Sequence, residues 1–172
     1  MTILRRGEKT ADELLAELEN DPEWVARRDA REIEMRAKEE AYLLEETPLR
    51  NELHRLGYPV KWVWDFVNTA QSYPDAIPVL VDHLQRPYSD EVREGIARSL
   101  AVREARGEAG DAIVAVLREG GLGDQLRWAL ANTLTIVADR SNRDAIKALL
   151  DTETNKDVAD RLSRSLKTAA KP

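Results

Sequence analysis

The sequence predicts an all-α protein: an α-solenoid of stacked helix pairs behind a helical N-terminal arm. Three observations predict it. The triplet Asp-Ala-Ile recurs at Asp75-Ala76-Ile77, Asp111-Ala112-Ile113 and Asp144-Ala145-Ile146, at intervals of 36 and 33 residues. Each triplet opens an apolar helical segment (IPVLVDHL, IVAVLREG, IKALLDTE), and each is followed by a second one (DEVREGIARSL, DQLRWALANTL, KDVADRLSRSL). The second segments align on one stripe: Val92, Leu126 and Val158, then Ile96, Leu130 and Leu162, then Leu100, Leu134 and Leu166. Apolar residues at i, i+4 and i+8 make one buried face per helix. A two-helix unit recurring at this period is a repeat architecture in which neighbours bury each other's faces.

Size and charge bound the rest. At 172 residues the chain is one domain, or one domain plus an arm. Its 42% apolar and 34% charged residues fit a soluble helical protein. The absence of cysteine excludes disulfides, zinc–thiolate sites and thiol catalysis. The opening MTILRRGEKT lacks the apolar core of a secretory signal, and no run approaches the ~20 apolar residues of a membrane span. A cytoplasmic location is therefore expected. The net charge of −6 is confined to the arm: residues 1–46 hold 14 acidic and 8 basic side chains, and residues 47–172 hold 18 of each. A neutral repeat body is unlike the basic footprint of a nucleic-acid binder.

The arm spans residues 1–46. Thr10-Ala11-Asp12-Glu13 reads as a capping box for a helix over 12–19 that carries Leu14, Leu15 and Leu18. Asp21-Pro22 restarts a long helix over 22–45, with Glu32–Arg36 and Glu34–Lys38 as i,i+4 ion pairs. Its stripe of Ala26, Ala30, Ile33, Ala37, Ala41 and Leu44 buries little area. Two arrangements suit it: a solvated arm, or the seam of a homodimer. Trp24 and Tyr42 are candidates to dock the arm.

The repeat domain spans residues 47–172. Thr47-Pro48 starts a helix over 48–57 with Leu49, Leu53 and Leu56 inward and Gly57 as its stop. The segment 60–69, rich in Trp62, Trp64 and Phe66, reads as a second helix; together they form a degenerate cap over 48–73. In it, Trp62 and Phe66 share one face, as core packing. Three full units follow, over 74–106, 107–140 and 141–169. Their helices are expected at 75–85 and 89–103, at 110–119 and 124–138, and at 142–151 and 156–169. Ser89 or Asp90 caps the second of these helices and Ser141 the fifth. The Gly120-Gly121-Leu122-Gly123 loop lacks the Lys and Ser/Thr of a phosphate cradle and reads as a turn. The tail KTAAKP reads as a frayed end.

The paired helices, the Asp-Ala-Ile openings and the Arg or Asn one turn into each second helix resemble HEAT repeats and the bacterial HEAT-like repeats. The resemblance covers residues 74–169 and, less closely, 48–73. It implies a right-handed α-solenoid whose second helices line the concave wall. It also implies a scaffold or adaptor function, since most members bind proteins. DNA glycosylases and bilin lyases are among the members that host chemistry, and no motif of theirs transfers to this chain.

The candidate site residues lie on the second helices. Trp128 aligns with Glu94 and Asp160, so its position is expected to face water; an exposed Trp there is either a partner anchor or a cover for the adjacent unit. Arg93 aligns with Arg127, and Arg98 with Asn132 and Arg164. Such a ladder either grips carboxylates by bidentate bonds or ties successive units through ion pairs, with Asp90 and Asp124 as possible partners. The two histidines, His54 and His83, make no catalytic set, and no HExxH or other metal spacing occurs. No cofactor is expected. The reading that fits best is a non-enzymatic protein-binding module, monomeric or dimerised through the arm. Nucleic-acid binding or repair, and lyase-like action on a small molecule, are the alternatives; phosphate binding would need several uncompensated cations, and catalysis a poised acid and base.

Overall fold

The computed structural model describes residues 10–170. The expectation that the first nine residues carry no secretory signal lies outside them, as do Lys171 and Pro172 of the tail. The rest of that tail is not frayed, since Lys167–Ala169 continue the last helix, Ala169 is buried and the Thr168 hydroxyl donates to the Thr135 carbonyl at 2.8 Å. The described residues form helices and turns only, so the protein is all-α. No helix among them is long and apolar enough to cross a membrane. The chain divides into two compact units, Met1–Ala41 and Tyr42–Pro172.

In the first unit, α1 (Ala11–Glu19) opens on the capping box: the Glu13 N–H donates to the Thr10 hydroxyl at 3.2 Å, and the Thr10 N–H donates to the Glu13 carboxylate at 2.8 Å. The Asp21 carboxylate accepts from the Glu23 N–H at 2.9 Å and starts α2 (Pro22–Glu45). Along α2, Arg36 pairs with Glu32 at 2.6 Å and Lys38 with Glu34 at 2.7 Å. Neither helix buries a residue, and Ile33 is 70% exposed. Propensity and ion pairs thus hold α2, since its Ala-rich stripe covers no core.

The second unit takes in the end of α2 from Tyr42 and then α3 (Thr47–Arg55), where Leu49 and Leu53 are fully buried. Thr47 does not cap it. Its hydroxyl donates back to the Leu43 carbonyl at 3.2 Å, so α2 runs almost directly into α3. Gly57 does stop the helix, at φ 89°. The expected α-helix over 60–69 is instead a short 3-10 helix, Val63–Asn68. The Asp65 carboxylate accepts from the Lys61 N–H at 2.7 Å, which fixes a tight turn. At three residues per turn Val63 and Phe66 share the buried face, and not Trp62 with Phe66.

Next come α4 (Ile77–Leu84), α5 (Asp90–Ser99), α6 (Glu108–Glu119), α7 (Asp124–Val137), α8 (Arg143–Thr152) and α9 (Lys156–Ala169). The Ser89 hydroxyl caps α5, which ends four residues earlier than expected. Ser141 caps nothing: the Asp139 carboxylate accepts its N–H at 2.8 Å and holds a 3-10 turn ahead of α8. Gly120 and Gly121 take positive φ in the α6–α7 turn, and the Gly123 N–H donates to Asp90 at 2.7 Å. The aligned residues Ile96, Leu130 and Leu162, and Ile77, Ile113 and Ile146, are all buried in one core.

Helix α5 packs on α7 and α7 on α9; α4 packs on α6 and α6 on α8. Equivalent bonds recur along this series. Arg93 pairs with Glu119 at 2.8 Å and Arg127 with Glu153, each across 26 residues of chain. The Ser99 hydroxyl donates to the Val63 carbonyl at 3.0 Å and the Thr133 hydroxyl to the Ala97 carbonyl at 2.9 Å, each across 36 residues. These bonds fix the 3-10 helix, α5 and α7 against one another, and the Thr168 hydroxyl of α9 donates to the Thr135 carbonyl of α7 at 2.8 Å.

Candidate binding wall on α5, α7 and α9

Four side chains alternate along this wall and the 3-10 helix packed on α5: Trp64 on the 3-10 helix, then Arg98, Trp128 and Arg161. The Arg98 guanidinium carbon lies 5.7 Å from the Trp64 ring centre and 5.4 Å from that of Trp128. The Arg161 guanidinium carbon also lies over the Trp128 ring, 5.1 Å from its centre. A cation over an indole is held by the ring's quadrupole at these distances. Gly95 makes room for the row: a Cβ there would come within 2.8 Å of the Trp64 ring nitrogen.

Arg98 is further oriented by Glu94, one turn earlier on α5, whose carboxylate oxygen accepts from its Nε at 2.8 Å. Gln125 on α7 reaches the same oxygen at 3.3 Å. Glu94 is mostly buried, against the water-facing place expected for its column, whereas Asp160 in the same column is exposed. Trp128 is half-buried and packs against the core.

Below Arg98 opens a cleft of about 440 Å³. Phe66, Ile77 and Val102 give it apolar walls, and Ser72, Glu104 and Asn132 give it polar ones. Asn132 stands one turn beyond Trp128 on α7, half-buried, and its side-chain amide makes no hydrogen bond among the described residues. The Tyr73 hydroxyl donates to the Ser99 carbonyl at 2.7 Å, and burial pushes its pKa up to about 12. It stays protonated at neutral pH and offers no base to the cleft.

Of the predicted site residues, Arg98, Trp128 and Asn132 meet at this place. The others do not. Arg93 is only 6% exposed, with its Nε donating to the Leu84 carbonyl at 3.2 Å and its Nη2 pairing with Glu119. Arg127 holds Glu153 and lies 3.6 Å from Asp124, and Arg164 pairs with Asp160 at 2.9 Å on its own helix. Arg93 and Arg127 thus reach carboxylates of the following predicted unit, as the ion-pair reading of the ladder expected, but the partners are Glu119 and Glu153: Asp90 is not one of them, and Asp124 lies near Arg127 within its own helix.

Sequence reasoning missed Arg161, and took Trp64 as one of the cap's aromatics, on a face apart from Trp62 and Phe66, with core packing favoured over an aromatic ligand cage. Carried back one more period, the column of Arg98 and Asn132 lands on Trp64. Arg161 occupies the column of Gly95 and Ala129, where the other units keep a small residue against the preceding unit. Among the described residues no group of three or more His, Asp or Glu side chains is placed to hold a metal ion. The chain matches no family model, no curated protein and no solved structure.

Proposed function

We propose that this chain is a non-enzymatic protein-binding module: a short, right-handed HEAT-like α-solenoid that grips a partner with the wall of α5, α7 and α9. The observation that carries the reading is the row Trp64–Arg98–Trp128–Arg161, half-exposed and set beside an open cleft. Trp and Arg are the side chains that most often dominate binding energy at protein interfaces, because they combine large apolar area with directed hydrogen bonds. The serial packing of α5, α7 and α9 and the recurring inter-helix bonds support the stacked arrangement. Within the repeat domain the basic and acidic side chains balance, which favours a protein over a polyphosphate.

An affinity pull-down from the native cell, run with wild-type and Trp128→Ala protein side by side, tests this. A partner retained by the wild type should bind the variant more weakly by about 2 kcal/mol, roughly 30-fold in Kd. Equal affinity would remove Trp128 and the row from the interface.

A further inference from the structure

Resting on that binding role, we propose that the wall takes an acidic, extended peptide segment, with an Asp or Glu side chain on Arg161 and an apolar side chain in the cleft below Arg98. Arg161 differs from its neighbours. Arg93, Arg98, Arg127 and Arg164 each hold a carboxylate of this chain, whereas Arg161 has no acidic partner among the described residues. It is nevertheless half-buried and held over Trp128 at 5.1 Å. A guanidinium already fixed in place loses little further freedom when an anion binds, and its forked N–H donors match a carboxylate in two parallel bonds.

Asn132 supplies the second recognition element. Its unbonded amide offers both a donor and an acceptor, which is what one peptide unit of an extended chain requires. The cleft supplies the third, with Phe66, Ile77 and Val102 able to receive an apolar side chain. The spacing follows from the shared ring. Arg98, which lines the cleft, and Arg161 both lie over Trp128. Their guanidiniums are therefore no more than roughly 10 Å apart, a distance an extended strand covers in about three residues at ~3.3 Å each. The segment so defined has an acidic residue three or four positions from an apolar one. A nucleic acid fits less well: tracking phosphates needs several free cations in line, and Glu104 adds negative charge to the cleft.

The test is selection of random seven-residue peptides, displayed with both ends blocked by flanking chain, on the full-length protein. The wild type should enrich Asp or Glu at one position with an apolar residue three or four positions away. Arg161→Gln should lose the acidic preference and keep the apolar one. For an enriched peptide made with blocked termini, that variant should bind about tenfold more weakly, and Arg161→Lys should fall between the two. Replacing the peptide's acid by its amide should cost the wild type the same factor and the Arg161→Gln protein nothing. Circular dichroism of the variants should match the wild type, since Arg161 lies at the helix surface. Enrichment without an acidic position, equal binding by Arg161→Gln, or binding only of peptides with a free C-terminal carboxylate would overturn the inference. So would competition by duplex DNA that is lost in Arg161→Gln. Peptides that ignore Arg161→Gln but are lost with Trp128→Ala would overturn it while leaving the binding role intact; no enrichment at all would remove both.

Discussion

Gly95 sits on α5 against the 3-10 helix of the preceding segment, and an added Cβ would meet Val63 Cγ1 at 2.6 Å and Trp64 Nε1 at 2.8 Å. In an open helix, Gly to Ala gains about 1 kcal/mol of propensity. Here that gain is opposed by overpacking, which costs about 1–3 kcal/mol in a filled core. Urea denaturation of Gly95→Ala should therefore show lower stability, by about 1 kcal/mol; a neutral or stabilised variant would mean the contact is slack. His83 makes a second case. It is fully buried, its Nδ1 lies 2.8 Å from the Tyr88 hydroxyl, and its Nε2 lies 3.2 Å from Glu52 Oε1 without a well-formed hydrogen bond. Burial lowers its pKa first of all. The Glu52 carboxylate opposes this, the nearby Arg86 guanidinium adds to it, and Asp82 opposes it. The folded state thus keeps His83 neutral where the unfolded chain, with a pKa near about 6.5, begins to take up a proton. Its contribution to stability is present above that pH and is lost as the pH falls below it. The wild-type denaturation midpoint should fall between pH 7 and pH 5.5, and His83→Gln should fall less over the same window; parallel curves would contradict this. Neither feature was legible in the sequence. The partners of His83 come from other elements, Glu52 on α3 and Tyr88 in the loop after α4.

Among the elements, the helices with a 3.6-residue stripe were readable, because burial of Ile96, Leu130 and Leu162 follows from spacing alone. Helix ends were less so. Asp139, Thr47 and Asp65 each have several backbone groups in reach, and which one they bond decides whether a cap, a continuation or a 3-10 turn forms. The segment 60–69 has helical spacing of its aromatics, yet Asp65 takes the N–H groups of Lys61 and Trp62 and winds it more tightly. Bonds between helices were not readable at all beyond the type of residue involved. The arginine ladder was visible, but its partners Glu119 and Glu153 depend on the stagger of α5, α6, α7 and α8. Thr133 tests how much such bonds matter. Its buried hydroxyl reaches the Ala97 carbonyl on α5 at 2.9 Å and the Ala129 carbonyl at 3.0 Å. Thr133→Val keeps the shape and leaves the Ala97 carbonyl without this donor, so it should cost about 1–2 kcal/mol. Thr152→Val, whose hydroxyl bonds only its own helix at an exposed site, should change stability by less than about 0.5 kcal/mol. Equal effects would mean that the α5–α7 bond adds nothing to the packing.

For the whole molecule, the account rests on division of labour between two sets of arginines. Arg93 and Arg127 are spent on bonds that hold α5 to α6 and α7 to α8. Arg98 and Arg161 both lie over the Trp128 ring, beside an open cleft. The sequence showed all but one of these arginines as members of repeated columns, and the alignment alone could not sort them, because sorting depends on which carboxylate lies across each helix boundary. The balanced charge of residues 47–172 and the excess acid of residues 1–46 give the two parts different surfaces. If the wall is the gripping face, the partner must cover α7 and α9. Hydrogen–deuterium exchange of the protein with and without its captured partner reads this directly. Added protection should concentrate on Asp124–Val137 and Lys156–Ala169, around Trp128, Asn132 and Arg161. Protection confined to α2, or to α4, α6 and α8 with α7 and α9 unchanged, would contradict the account.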